Sequence, residues 1–257
     1  MLQDIILFSV GIVVGIMNGI AGGGMLIGFP VLLATGIPPL VANATSNIII
    51  LPGQITSAFG YRKYLRQIPK AYLLLVIPCA IGGAIGAITL RHTSSSSFQK
   101  LVPGLIVFAV VLFIFQPFLQ RRIHRHINGP KKHRSSLKPL IPTVLAMIPL
   151  SIYGGYFGVG FGFIMLALLG FTKIHEIHQM NGLKNLMAIC IAIVSIVCLF
   201  SSHLIDWRHG LFMAAGSGIG GYVGAVGSQR YSSHAVRIVV IIIGITTASY
   251  LVFRSYS

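Results

Sequence analysis

Two short segments carry asparagines four residues apart: Asn43 and Asn47 in "NATSN", Asn181 and Asn185 in "NGLKN". On a helix that spacing sets both carboxamides on one face. Between them lie Thr45 and Ser46 in the first segment and Lys184 in the second. Amide, hydroxyl and ammonium groups in this pattern are donors suited to a tetrahedral or pyramidal oxyanion. A helix cap from Ser or Thr is the plainer account of the first cluster, but it covers one or two groups and not matching clusters in both places. Lysine at the centre of a membrane helix costs at least about 2.5 kcal/mol on insertion scales. Lys184, in an apolar stretch, therefore either faces an interior or an aqueous path, or snorkels to the nearby interface.

Glycine makes the second constellation. "GIAGGGM" (Gly19–Met25) directly follows the apolar run Ile5–Met17, and "YGGYFGVGFG" (Tyr153–Gly162) cuts another apolar stretch. Each glycine destabilises a helix interior by roughly 1 kcal/mol relative to alanine. At membrane depth, irregular backbone persists only where protein buries it or it lines a watery cavity. Gly22, Gly23 and Gly24 in succession predict a helix end, a sharp turn and a short new helix beginning near Met25; Gly158 and Gly160 are the counterpart. Such a break turns amide N–H groups and a positive helix N-terminus toward the membrane interior, a ready place for an anion. Close packing of small residues is the competing account, and it suffices for Gly82–Gly86 in "IGGAIGA" and Gly220–Gly224 in "IGGYVGA".

A third segment, "KIHEIHQ" (Lys173–Gln179), resembles a zinc-protease helix until the spacing is counted: H-E-x-x-H needs histidine at 179, where Gln179 stands. An interfacial turn is expected there, with a proton-coupling histidine as the alternative. His124, His126 and His133 belong to a cationic loop, and Asp206, Trp207 and Arg208 read as an interfacial anchor. No metal, no cofactor and no catalytic bond chemistry are expected.

The elements that position these groups are membrane helices. The chain is 55% hydrophobic and 9% charged with a mean hydropathy of +0.87, whereas soluble domains are about 25% charged. Three acidic residues, Asp4, Glu176 and Asp206, could not solvate a globular surface. The net charge of +16 does not point to nucleic acid. Its cations gather in Tyr61–Lys70 and Gln120–Lys138 between apolar runs, as the positive-inside rule predicts for cytoplasmic loops. Cys79, Cys190 and Cys198 lie in apolar segments without metal spacing and read as small buried hydrophobes. The N-terminus lacks a cationic n-region and reads as mature protein, not a signal peptide.

A span needs about 20 apolar residues. Val41–Tyr61, Ala71–Leu90, Phe98–Leu119, Ile177–Phe200, Gly210–Gly227 and Val236–Phe253 qualify, and Ile5–Ala34 and Leu140–Phe171 are longer stretches cut by glycine. Gly19, Gly22 and Gly24 match Gly155, Gly158 and Gly160 at an offset of 136; "NATSN" matches "NGLKN", and "IGGAIGA" matches "IGGYVGA", at 138. Ordered matches at nearly one offset predict an internal repeat: residues 1–119 and 139–257, joined by a basic cytoplasmic linker at 120–138. If Leu140–Phe171 is a hairpin returning to its own side, Lys173, Arg230 and Arg237 face the cytoplasm and only Arg91, Arg208 and Arg254 fall outside. A single crossing moves the first three outside. The basic count favours the hairpin and an inverted repeat. The fold expected is all-α and polytopic, with about eight membrane segments.

The stretch "GIMNGIAGGGMLIGFPVLLATGIPPLVANATS" (Gly15–Ser46), its echo "YGGYFGVGFGFIMLALLGF" (Tyr153–Phe171) and the two-halved plan resemble the TauE/SafE family of bacterial membrane permeases, over essentially the whole chain. The resemblance implies a permease of the bacterial inner membrane for sulfur-containing anions: sulfite, thiosulfate or organosulfonates. The residues agree in kind, since three acids cannot build a cation-selective pathway. Alternating access at a midplane site is expected, with no nucleic-acid partner; homo-oligomerisation stays open. Gly22, Gly23, Gly24, Gly158 and Gly160 would offer amides, with Asn43, Thr45, Ser46, Asn47, Asn181, Lys184 and Asn185 around them. A passive anion channel is the first alternative. A membrane-embedded enzyme is the second, and it would need a nucleophile–base set or metal triad that the sequence does not display.

Overall fold

The computed structural model describes residues 2–20, 22–127, 140–172, 174 and 176–229. In chain order the helices are α1 (Leu2–Ile20), α2 (Met25–Ala34), α3 (Pro39–Gly60), α4 (Arg62–Leu65), α5 (Val76–His92), α6 (Ser95–Ile127), α7 (Leu140–Tyr156), α8 (Phe161–Leu169), α9 (Ile177–Leu199) and α10 (Trp207–Gly227). Tight 3₁₀ turns at Lys70–Leu75 and Phe200–Ser202 adjoin α5 and α9. No strand occurs among the described residues. The span expected at Val236–Phe253 and most of the linker, 128–138, lie outside them.

Polarity is distributed the opposite way to a soluble protein. Lys184, Asn185, Asn181, Asn43 and Gln54 are buried, while Ile77, Ile81, Ile85 and Ile88 on α5 and Leu211, Ile219 and Val223 on α10 face outward. An apolar exterior around polar groups needs a lipid solvent. Leu2–Ile20, Lys70–His92, Ile177–Ser202 and Trp207–Gly227 are each long and apolar enough to cross a membrane. α3 has the length, at 22 residues, but its inward polar cluster dilutes its hydropathy. α6 continues through Ile127, past Leu119 where the span was expected to end. Its basic residues tolerate the helix, and beyond Pro117 the next strong breakers are Asn128–Gly129–Pro130.

Glycine seams fix the helix directions. On α1, a Cβ at Gly11 or Gly15 would run into the Met213 or Ser217 carbonyl of α10; on α10, one at Gly220 or Gly224 would meet the Ile12 or Ile16 carbonyl. The numbers rise together, so α1 and α10 are parallel. α10 is parallel to α3 by the same test, with Gly210 beside Thr45 and Gly60 beside Ala225. α5 is likewise parallel to α7, where Gly82 and Gly86 lie on the Ile148 and Ile152 carbonyls. It is parallel to α9 as well, through Gly83–Ile191 and Arg91–Cys198. "IGGAIGA" and "IGGYVGA" are therefore packing surfaces, as read from the sequence. The two three-helix groups run oppositely, because Tyr61 and Tyr64 beyond the end of α3 pack on His178 at the start of α9.

A consequence follows for the short helices. Since α1 and α3 point the same way, α2 returns the chain to the end where α1 began; α8 does the same between α7 and α9. Both glycine-cut segments are hairpins. Arg62, Lys63 and Arg66 stand at one end of the bundle, and Arg91 and Arg208 at the other, the latter 3.5 Å from Asp4 at the start of α1. Lys173, Arg230, Arg237 and Arg254 lie outside the described residues.

Candidate functional site

Both breaks are real interruptions of the helix. α1 stops at Ile20 and α2 starts at Met25, with Gly22 and Gly23 at φ +92° and +88°. α7 stops at Tyr156 and α8 starts at Phe161, with Gly158 and Gly160 at φ +71° and +80°. These left-handed values are the reason for glycine at those positions. Between α2 and α8 the breaks abut. A Cβ on Gly22 would stand 2.8 Å from the Gly162 Cα, and Phe29 meets Phe157 edge to face at 5.8 Å.

A helix end leaves backbone carbonyls without partners, and here they are taken by donors from elsewhere in the chain. At the end of α1, the Met17 carbonyl accepts from the Gly22 amide at 3.0 Å, the Asn18 carbonyl from Lys184 Nζ at 2.9 Å, and the Gly19 carbonyl from the Tyr61 hydroxyl at 3.0 Å. At the end of α7, the Tyr156 carbonyl accepts from Asn43 Nδ2 at 2.8 Å, and the Tyr153 hydroxyl donates to the Val159 carbonyl at 2.6 Å. In both cases a polar side chain early in a long helix, Lys184 on α9 or Asn43 on α3, caps the broken helix of the opposing group.

Lys184 is 1% exposed. It does not snorkel: burial against α1 and the bond to Asn18 hold its ammonium inside the bundle. Among the described residues Arg208 pairs with Asp4, and the His209 ring lies 2.9 Å from the Asp206 carboxylate; Lys184 has no carboxylate partner among them. Next to it, Asn185 is completely buried with both Oδ1 and Nδ2 unpaired, and Asn181 Oδ1 and Asn43 Oδ1 are likewise buried without partners. Of these unfilled atoms Asn185 Nδ2 is a donor, while the oxygens of Asn43, Asn181 and Asn185 are acceptors; buried polar groups left without partners are rare in folded proteins.

The remaining residues singled out from the sequence divide by role. Ser46 Oγ donates to the Asn43 carbonyl at 2.6 Å and Asn47 Nδ2 to the Ala44 carbonyl at 3.3 Å, both within α3. Thr45 faces α10, where its hydroxyl accepts from the Asp206 amide at 2.9 Å. The amides of Gly22, Gly24 and Gly158 are spent inside the breaks, on Met17 O, Asn18 Oδ1 and Tyr153 O respectively. Asp206 caps α10 through the His209 amide. Lys173 and His175 of "KIHEIHQ" lie outside the described residues, while His178 packs against Tyr61 and Tyr64.

Sequence reasoning missed Asn18 and Tyr61, the two residues that tie the end of α1. Asn18 joins three elements: its carbonyl holds Lys184 of α9 and its Oδ1 holds the Gly24 amide before α2 at 2.9 Å. The signal was present as a lone asparagine in the last turn of an apolar helix, four residues before the glycine run.

Comparison with known proteins agrees with this architecture. A protein from Haemophilus influenzae named "Probable membrane transporter protein" is 28% identical over 255 residues, covering 96% of this chain and 94% of its own length. "Probable membrane transporter protein ORF9" of a Sinorhizobium species is 26% identical, over 94% of this chain and 89% of its own. "Probable membrane transporter protein YfcA" of Escherichia coli K12 is 22% identical, over 98% and 90%. No solved structure matches the chain. The family model described as "Sulfite exporter TauE/SafE" matches residues 7–251. This multi-pass membrane protein therefore belongs to the TauE/SafE family of membrane transporters.

Proposed function

We propose that the protein carries small anions, sulfur oxyanions such as sulfite, thiosulfate or organosulfonates, across the bacterial inner membrane by alternating access. The observation that supports this most is Lys184, a buried ammonium with one backbone acceptor and no carboxylate partner. Desolvating such a charge costs several kcal/mol unless a partner compensates it, and the passing solute is that partner. Asn43, Asn181 and Asn185 stand around the path, while Thr45, Ser46 and Asn47 hold α3 in place. Gly22, Gly23, Gly24, Gly158 and Gly160 form the breaks; with the amides of Gly22, Gly24 and Gly158 spent inside them, those of Gly23 and Gly160 are the ones left to offer the anion.

Alternating access suits two inverted repeats, residues 1–119 and 139–257 joined by a basic cytoplasmic linker at 120–138. The pairing of α1–α10–α3 against α7–α5–α9 supports this reading. The abutting Gly22 and Gly162 are then the closed point of the path. The test is uptake and efflux of labelled sulfite, thiosulfate and sulfonates in proteoliposomes. Wild-type protein is expected to show accelerated exchange in counterflow, and both Lys184→Ala and Gly23→Leu to abolish flux while remaining inserted. Flux without counterflow acceleration makes the protein a channel, and undiminished flux in Lys184→Ala removes the anion reading.

A further inference from the structure

We propose that Asn18 contacts the transported anion, donating from Nδ2 beside Lys184. The inference deepens the anion reading above and rests on it. A backbone amide can only donate, so the Asn18 side-chain atom 2.9 Å from the Gly24 nitrogen is the carbonyl oxygen. That bond fixes the carboxamide and turns its NH₂ the other way. Nδ2 is buried, in a residue 4% exposed, and has no hydrogen-bond partner. Native structures leave few such groups empty.

The same residue's backbone carbonyl holds Lys184 Nζ at 2.9 Å. An ammonium has three protons and this bond uses one. Two donors, one charged and one neutral, are thus anchored on a single residue. Asn185, the next residue of α9, is fully buried with its carboxamide unpaired at both ends. The guest that satisfies Nζ and Nδ2 together is an oxyanion with at least two acceptor oxygens. Because Asn18 also caps the approach to α2 through Gly24, filling this position bears directly on the break.

Asn18→Asp tests the proposal on the full-length purified protein. The aspartate keeps an oxygen for the Gly24 amide but replaces the NH₂ donor with a carboxylate oxygen next to Lys184. Thermal unfolding is followed against sulfite, thiosulfate and chloride. Wild-type protein is expected to gain stability with sulfite or thiosulfate and not with chloride. In Asn18→Asp the apparent affinity should fall at least about tenfold, the scale of a lost bond to a charged group, with the unliganded melting temperature no lower. Equal anion dependence in Asn18→Asp, alongside its loss in Lys184→Met, overturns the role of Asn18 and leaves the anion reading intact. A wild type that responds to none of the three ions overturns both. If Asn18→Asp fails to accumulate, Asn18→Ser decides: its Oγ takes the Cγ position, so it stops short of both the Nδ2 position and the Gly24 amide and adds no charge. An unchanged affinity there overturns the proposal, and a several-fold loss at unchanged charge supports it.

Discussion

Replacing Lys184 by methionine separates a functional charge from a structural one. The substitution keeps the length of an unbranched side chain that packs, 1% exposed, against α1, and swaps of similar volume usually cost less than about 1.5 kcal/mol. Two electrostatic effects then oppose each other. Removing the donor leaves the Asn18 carbonyl without the bond it has at 2.9 Å, at about 1–3 kcal/mol for a buried orphan. Removing the ammonium relieves a desolvation penalty of several kcal/mol, which no carboxylate compensates. The second effect is the larger, so Lys184→Met is expected to be as stable as the wild type or more so. At roughly 2–4 °C per kcal/mol for a chain of this size, the melting temperature holds steady or rises by a few degrees. Flux moves the other way. If the ammonium supplies about 3 kcal/mol to anion binding, its loss weakens transport by about a hundredfold. The assay pairs thermal unfolding in detergent with flux in proteoliposomes on one preparation. A melting temperature that falls by more than about 5 °C while flux persists would falsify the reasoning, because Lys184 would then be a bolt between α9 and α1 and nothing more.

Further expectations follow from the breaks and the seams. Gly22→Ala places a Cβ at φ +92° and 2.8 Å from the Gly162 Cα. It should cost about 2 kcal/mol and lower flux sharply, both measurable in the same preparation, and a neutral result would mean that the abutting breaks are not required. Gly220→Leu drives a side chain into the Ile12 carbonyl and should prevent accumulation of folded protein. Gly104→Leu, whose Cβ would meet no atom beyond its own helix within 4 Å, should leave yield undiminished and the melting temperature equal or slightly higher. Tyr61→Phe removes the donor to the buried Gly19 carbonyl at about 1–3 kcal/mol, so the melting temperature should drop by several degrees with anion affinity intact. A change in affinity instead would place Tyr61 on the anion path.

The sequence alone determined the lipid environment, the helical class and the positions of the breaks. These follow from properties local to the chain: too few charges for a wetted surface, apolar runs of spanning length, and glycines in clusters that no continuous helix favours. Met25 begins α2 as expected for that reason. The small-residue pattern in "IGGAIGA" and "IGGYVGA" was legible as packing because spacing of four sets a face. What the sequence left open was decided by contacts between residues far apart in the chain. Whether Lys184 snorkels or faces inward depends on α1 ending beside it, 166 positions away. Whether glycine amides stay available depends on Asn18 and Met17, which take two of them. That Thr45 serves α10 depends on where Asp206 lands. A hydrogen bond needs its partner within about 3 Å, and the residue patterns here hold no record of which partner arrives. Tertiary packing therefore set which polar groups are bonded within the fold and which, Asn18 Nδ2 and the Asn185 carboxamide among them, are buried without a partner.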